Sequence, residues 1–514
     1  MKNLKRNFYL YSLLQSRCLQ INDIEKKIEC IEDLARFARV NHPGIFYDDR
    51  IEKQLNDIGR NIIIDDDFVK NLPDGYSNYD SLYVATRLEG AGGHTKCLIE
   101  FCRYAQGVSC LVLTSQHVED LPTHIAEKVH PLTKVISLAH YQTAIEKAKA
   151  LRVLASRVKR VHLYHTHNDA LPSIALASKN LPPVVLQNHE HSWFWLGLSI
   201  ADLVLSYTHF HDSYTVKYRE VKSQRYFDVI LFDKVTPAQR DQKIKAKKAL
   251  GIDEQTTLIT SIGSRGKFKP NDKYNFFEIA YRIVAHRKDV LIYVIGIDDK
   301  DELVPVHVRQ HPQIKCLGYK TNVIDYFLAS DISLESMPEA SLGVQILAPY
   351  AGLSCPFPKP DPQSILSSSR IIEDSSYHLF FNEMDSLNLF YEKMNVLIND
   401  KDLRMEIAQN VQNEFVKKFD ESKFRQNIQD LHEELSTMKH EVRSLQQATF
   451  HADAWNIELA KYSVLKHLLS FSIAYAPFLR VTDFCKLFIF SLREGTLGKE
   501  VSNIFTILKS KWET

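Results

Sequence analysis

The strongest constraint on this chain is a rhythm that occurs twice. Short, almost continuously apolar runs alternate with longer amphipathic stretches, first over residues 81–206 and again over 257–335. In the first series the runs are SLYVAT, SCLVLT, TKVISL, KRVHLYH, PPVVLQ and ADLVLS, with TKCLIEFCRYA and TAIEKAKALRVLASR at helical spacing between them. In the second, TTLITSIG, DVLIYVIGI, IKCLG and DISLES read as strands, and NFFEIAYRIVAHR and NVIDYFLAS as helices. Strands apolar on both faces, alternating with helices, predict parallel sheets covered on both sides. The chain is therefore expected to be α/β, with two doubly wound domains in tandem. Ligands of such sheets bind at the carboxyl ends of the strands, here in the cleft expected between the domains.

The flanks are helical. Apolar residues at helical spacing in IEDLARFARV and IEKQLNDIGRNI predict a helical N-terminal region over 1–75, and NLPDGYSNYD (71–80) has linker composition. The α/β domains then span 76–235 and 236–425, joined by the charged stretch FDKVTPAQRDQKIKAKK (232–248), with a helical C-terminal extension over 426–514. Leu431, Leu435, Met438, Val442 and Leu445 recur every three to four residues, predicting one helix over 430–447 packed on its own domain. The apolar, aromatic tail 464–492, broken by Pro477 and by Lys466, Arg480, Asp483 and Lys486, reads either as buried helices or as an amphipathic membrane-surface segment.

Composition excludes several classes. Lys+Arg total 64 against 63 Asp+Glu, so nothing suggests a nucleic-acid footprint, which needs a basic excess. The 8 cysteines form no CxxC pair and several stand in apolar runs, predicting buried free thiols in a reducing compartment. The N-terminus lacks the continuous apolar core of a signal peptide, and no run reaches the length of a membrane span. A cytoplasmic protein is expected, membrane-peripheral if the tail lies on a bilayer.

Five motifs fall at strand ends. LEGAGGHTKC (88–97) follows the first strand. It is no dinucleotide fingerprint, because Thr95 stands where GxGxxG needs its third glycine, and no GK[ST] makes it a P-loop. What remains is a turn through Gly90, Gly92 and Gly93 into a helix, suited either to an anion facing backbone N–H groups or simply to tight packing. HTHND (165–169) and NHEHSWFWLG (188–197) end two further strands and bring His165, His167, His189 and His191 to the same edge. No fixed Cys/Asp/Glu set completes a metal site, leaving structural histidines or substrate contact and proton transfer.

In the second domain SIGSRGKFKP (261–270) gathers Ser264, Arg265, Lys267 and Lys269 on a glycine turn, a basic loop that suits a departing diphosphate. DISLESMPEASLGVQILAPYAG (331–352) runs from a strand ending at Glu335 through Glu339 to a helix starting at Ala340 or Ser341. Glu339 there either reaches the cleft or satisfies the helix dipole, and Ser341 with the first-turn N–H groups offers anion contacts.

Taken in order, these motifs resemble those of bacterial retaining GT-B glycosyltransferases, of the group-one and O-GlcNAc-transferase-like kind, over roughly 80–410. GAGGHTK resembles the first glycine loop of that family, and NHEHSWFWLG its His-x-x-His phrase followed by Phe/Trp-Leu-Gly. SIGSRGKFKP resembles the diphosphate loop, and LGYKTNVIDYFLASDISLESMPEAS the nucleotide-binding stretch that leads into a Glu-x7-Glu motif. The resemblance implies two Rossmann-like domains, the first on the acceptor side and the second on the nucleotide-sugar side. It implies transfer with retention and no obligatory metal or other cofactor, to a glycan, lipid-linked or protein acceptor. By carry-over, Lys267 or Lys269 would contact the diphosphate, with Arg265, Ser341, Gly92 and Gly93 also on the donor. Glu339 would contact the donor sugar, and His189 or His191 would stand near the reacting centre.

One position departs from the pattern. Eight residues beyond Glu339 stands Leu347, where the family has a second glutamate that holds the ribose. Gln345 is no substitute, since two residues turn a helical side chain about 200° away. Pro349 should also kink or end this helix. The departure keeps a second reading open: a catalytically weak GT-B-like subunit that binds and partners an active transferase.

Overall fold

The computed structural model describes residues 2–72, 78–90, 93–189, 193–207, 209–227, 240–271, 273–338, 341–356, 386–418 and 420–451. Seven strands form the first sheet: β1 (Tyr79–Ala85), β2 (Ser109–Leu113), β3 (Lys134–Ser137), β4 (Val158–Tyr164), β5 (Val184–Asn188), β6 (Leu203–Ser206) and β7 (Gln224–Tyr226). Their order is β3-β2-β1-β4-β5-β6-β7, and every pair is parallel. The second sheet, β8 (Thr257–Ile262), β9 (Val290–Ile295), β10 (Ile314–Cys316) and β11 (Ile332–Ser333), runs β10-β9-β8-β11, again parallel throughout. All ten strand-like runs are strands; β7, three half-buried residues without alternation, is the one the sequence did not announce. Strand order reverses between β1 and β4 and between β8 and β11, so each sheet has a switch point there. The glycine turn and HTHND flank the first switch point, and SIGSRGKFKP and LESMPEAS flank the second.

Side-chain alternation along β1 explains the layers. Leu82 and Val84 face a core that includes Leu14, Ile31, Leu34 and Leu55 from the N-terminal helices Lys2–Leu19, Ile24–Val40 and Asp49–Arg60. Tyr83 and Ala85 face the opposite core, with Leu98 and Phe101 of the helix Gly93–Tyr104. The N-terminal helices thus complete the first domain's core, covering that face of its sheet together with the helices Ala144–Ala155 and Leu171–Ala175. Polar clamps reinforce the join. Glu25 accepts from Ala144 and Ile145 at a helix start, and Arg152 donates to Gly59 and Ile174 carbonyls.

Two local readings change. Within 232–248, residues from Arg240 onward form the helix Arg240–Ala249, which belongs to the second domain. Its charged composition suggested a linker, yet Lys247 is buried, 2.7 Å from Asp331 and also donating to the Thr256 carbonyl. At the other end, the helix Glu421–Thr437 stops eight residues before the apolar spacing does. Phe424 meets Phe101, Tyr104 and Phe227, so this helix lies on the first domain and not on its own. Residues 438–451 then strap across that domain in irregular backbone. His440 bonds Asp202 and the Leu176 carbonyl, while Arg443 bonds the Leu198 and Glu220 carbonyls. Val442 and Leu445 still pack against the first domain's core, without a helix.

Cys18, Cys30, Cys97, Cys102 and Cys110 are buried free thiols, while Cys316 and Cys355 are half-buried. Burial raises Cys97 to about 12. Among the described residues no helix is long and apolar enough to cross a membrane. The tail 464–492 lies outside them.

Candidate functional site

Three loops at the first sheet's carboxyl edge meet in a stack of rings. His94 opens the helix after β1, His167 follows β4, and His189 follows β5. His94 lies 3.9 Å from His189, centroid to centroid, and His189 lies 4.5 Å from His167. His167 in turn stacks on Trp195 at 4.8 Å and 12°. His167 and Trp195 are fully buried, whereas His94 and His189 are half-buried.

Local chemistry fixes each loop. In the glycine turn, Thr95 accepts a hydrogen bond from the Glu89 amide at 3.0 Å, and Gln116 brackets Leu88 through both its oxygen and its nitrogen. The residue that spoils a dinucleotide fingerprint therefore closes this turn. His124 bonds the Gly90 carbonyl at 2.8 Å. A Cβ added to Gly93 would meet nothing within 4 Å among the described residues. Beneath His189, its own Nδ1 lies 3.0 Å from the Gln187 carbonyl, and the Gln187 side chain accepts from Tyr207.

The loop carrying Trp195 is held from three sides. The Trp195 amide donates to Phe46, the Leu196 amide donates to His167, and Gly197 turns at φ +96°. A Cβ there would sit 3.3 Å from the His165 ring, so glycine is needed for both conformation and space. Glu52 of the N-terminal layer accepts from the Gly197, Leu198 and Ser199 amides and from the Ser199 hydroxyl.

Asp169 of HTHND does not reach for a ligand. Its carboxylate accepts from Thr86 at 2.7 Å, Thr114 at 2.6 Å and the Leu171 amide at 3.0 Å, tying β1, β2 and β4 together at the switch point. Nearby Glu32 accepts from the Ala170 amide and is pushed up to about 8, first by burial and then by the Asp169 charge. A carboxyl raised in the folded state is protonated there while the unfolded chain has ionised, so the protein loses stability as pH rises between the ordinary glutamate value and about 8. Glu32→Gln, which mimics the protonated form, should raise the melting temperature more at pH 8 than at pH 5. An equal effect at both pH values would show that Glu32 is ordinary.

In the second domain the two motif loops also touch. A Cβ on Gly263 would lie 3.1 Å from Ser336, and one on Gly296 would lie 2.0 Å from the Gly263 carbonyl, so both glycines permit this packing. Phe268 is buried between Lys267, half-buried, and Lys269, exposed. Arg265 is met by Asp301 at 2.6 Å and Glu302 at 2.8 Å, which separates its charge from the lysine pair. Glu335, buried, accepts from the Ser336 and Ser341 amides. The Ser341 amide expected to face an anion is therefore engaged by Glu335, with Ser341 as N-cap of the helix Leu342–Tyr350. Pro349 lies inside the last turn of that helix, which ends one residue later at Tyr350. Leu347 is buried in the second domain's core beside Ala348 and Ala351. Glu339, His191 and Gly92 lie outside the described residues.

Sequence reading named His167 and His189 but not their contact, and it gave no role to His94, Trp195 or Glu52. Tyr319 was missed as well. It is 59% exposed just beyond β10, an aromatic face at the edge of the second sheet.

No protein-family profile and no curated protein matches the sequence. Solved structures match the fold. Anabaena HepE in complex with UDP and glucose is similar with a TM-score of 0.55 at 14% identity, over 70% of this chain and 100% of that one. HepE with UDP-glucose gives 0.54 at 16% identity over the same shares. A glycosyltransferase from Rickettsia africae gives 0.52 at 10% identity, over 70% of this chain and 99% of that one. Likeness at such low identity speaks to architecture, and the architecture is plain: this chain has the GT-B fold, two Rossmann-like domains in tandem.

Proposed function

We propose that the protein is a glycosyltransferase that moves a sugar from a nucleotide-sugar donor to a glycan, lipid-linked or protein acceptor with retention of configuration. The observation that carries this reading is the convergence of His94, His167 and His189, from three strand ends, at the switch point of the first sheet. Anabaena HepE, a protein of the same fold, is solved in complex with UDP and with UDP-glucose, which supports a nucleotide-sugar donor. The donor is assigned to the second domain, with its diphosphate on Lys267 and Lys269 and its base against Tyr319. Transfer breaks the bond from the anomeric carbon to the diphosphate oxygen and forms one to an acceptor oxygen. Cationic groups stabilise the charge that develops on the leaving diphosphate. Glu339 contacts the donor sugar. His189, with His191 two residues on, borders the acceptor hydroxyl, and the Gly92–Gly93 turn approaches the sugar or diphosphate. Arg265 and Ser341 support the two donor loops through Asp301 and Glu335. No metal or cofactor is assigned a role.

Burial of Leu347 favours a second reading, a binding subunit with weak activity or none, because that helix position offers the ribose no polar group. A panel of UDP-, GDP-, ADP- and CMP-sugars, with nucleotide release as the readout, separates the two. Release above background from one nucleotide class is expected. Nucleotide binding without release from any donor would leave the subunit reading standing.

A further inference from the structure

Arg219 is a buried cation without an acid. It is 4% exposed, and no carboxylate among the described residues pairs with it. One nitrogen donates to the Trp193 carbonyl, whereas Nε and Nη1 have no hydrogen-bond partner. Its charge is met by ring faces: the Trp195 centroid lies 3.7 Å from the guanidinium carbon and the Phe46 centroid 5.0 Å from it. Cation–π contact in a desolvated setting is the compensation available, and the carboxyl end of the helix His209–Tyr218 adds to it, since the Arg219 amide closes that helix onto Thr215. Ring contacts build the surrounding cage. Phe46 meets His42 at 4.7 Å, Tyr214 at 5.6 Å and Tyr218 at 4.6 Å, and His451 meets Tyr218 at 4.8 Å.

The same indole carries the histidine column. Trp195 therefore touches Arg219 and His167, and His167 touches His189. We propose that Arg219 is a positioning residue for the His167–His189 pair: through Trp195 its cation holds the column in register and disfavours protonation of both rings, so that His189 meets substrate as a neutral imidazole. The last clause rests on the proposed glycosyl transfer; the rest does not.

A like charge nearby in a poorly hydrated site disfavours an imidazolium. Among the described residues, the groups around the column are His94 from the helix after β1, Tyr164 at the end of β4, His165 just beyond it, and Asp169. Around the cation stand His42 from the N-terminal layer, His451 from the strap, and Lys217, Tyr214 and Tyr218 from the preceding helix. Asp169, the carboxylate in this set, is held by Thr86, Thr114 and the Leu171 amide. The field of Arg219 already acts on His42, pushed down to about 3 by burial and then by this cation. Because Phe46 and His451 close the cage, the terminal segments that extend the two-domain fold also set the site's electrostatics.

The test is an NMR titration of isotope-labelled histidines in the whole protein between pH 5 and 8.5, without donor sugar. In the wild type His167 and His189 should titrate below the ordinary histidine value. Arg219→Met, which fills the space without charge, should raise both midpoints, that of His167, the ring nearer the cation, more than that of His189, and Arg219→Lys should restore part of the depression. Unshifted midpoints in a folded Arg219→Met variant would overturn the proposal. If both variants fail to fold, wild-type midpoints at or above the ordinary value overturn it and depressed ones support it. The readout needs no turnover, so depressed midpoints in a protein that releases no nucleotide would sink the glycosyltransferase reading and spare this one.

Discussion

His189→Phe should lower nucleotide release by about 10²-fold or more while leaving the melting temperature close to that of the wild type. The ring is one member of a stack, 3.9 Å from His94 and 4.5 Å from His167, and phenylalanine preserves a flat ring at that place. What disappears is the contact of Nδ1 with the Gln187 carbonyl and the second ring nitrogen, proposed to bond or take a proton from an acceptor hydroxyl. His189→Ala should reduce turnover as much but also lower the melting temperature, because it opens a gap in the column. Comparing the two separates chemistry from packing. If His189→Phe retains wild-type turnover, His189 has no part in the reaction.

Glu52→Ala should destabilise the protein by about 3–5 kcal/mol. The side chain is 1% exposed, and its carboxylate accepts from three backbone amides and the Ser199 hydroxyl. Each buried amide left without an acceptor costs about 1–3 kcal/mol. Part of that is offset, since burial itself opposes the charged form and raises the Glu52 carboxyl above its ordinary value. Glu52→Gln keeps one acceptor oxygen but sets an NH2 group against an amide, so an intermediate loss is expected. Urea midpoints should fall with an unchanged slope. Because Glu52 fixes the turn after Trp195, turnover should fall in these variants even below the unfolding range. A loss under 1 kcal/mol would mean that water replaces the carboxylate in this turn.

The fold was readable because its strands are buried on both faces, which leaves runs such as VVL and CLVL with no polar residue to confuse the period. The strap was not. Leu431 to Leu445 keep a helical spacing, yet His440 and Arg443 bond the first domain, and those tertiary contacts override the local pattern after Thr437. The helix Arg240–Ala249 was hidden by composition, because what it buries is an ion pair, Lys247 with Asp331. Of the site, each histidine stood in a visible motif, but stacking depends on which strands are neighbours and how far each loop rises. Arg219 gave no signal at all, since a lone arginine after a tyrosine-rich helix reads as surface.

The proposed place of a nucleoside diphosphate on the second domain's basic loop is tested by calorimetric titration of UDP into the wild type and a Lys267→Ala/Lys269→Ala variant. Binding to the wild type should weaken with added salt. In the double variant, whose melting temperature should be unchanged, binding should weaken by about tenfold or more, as loss of charge-assisted phosphate contacts implies. Equal UDP affinity in the two proteins would contradict the assignment of the loop. Absence of binding by UDP, GDP, ADP and CMP alike would contradict the nucleotide-sugar reading itself.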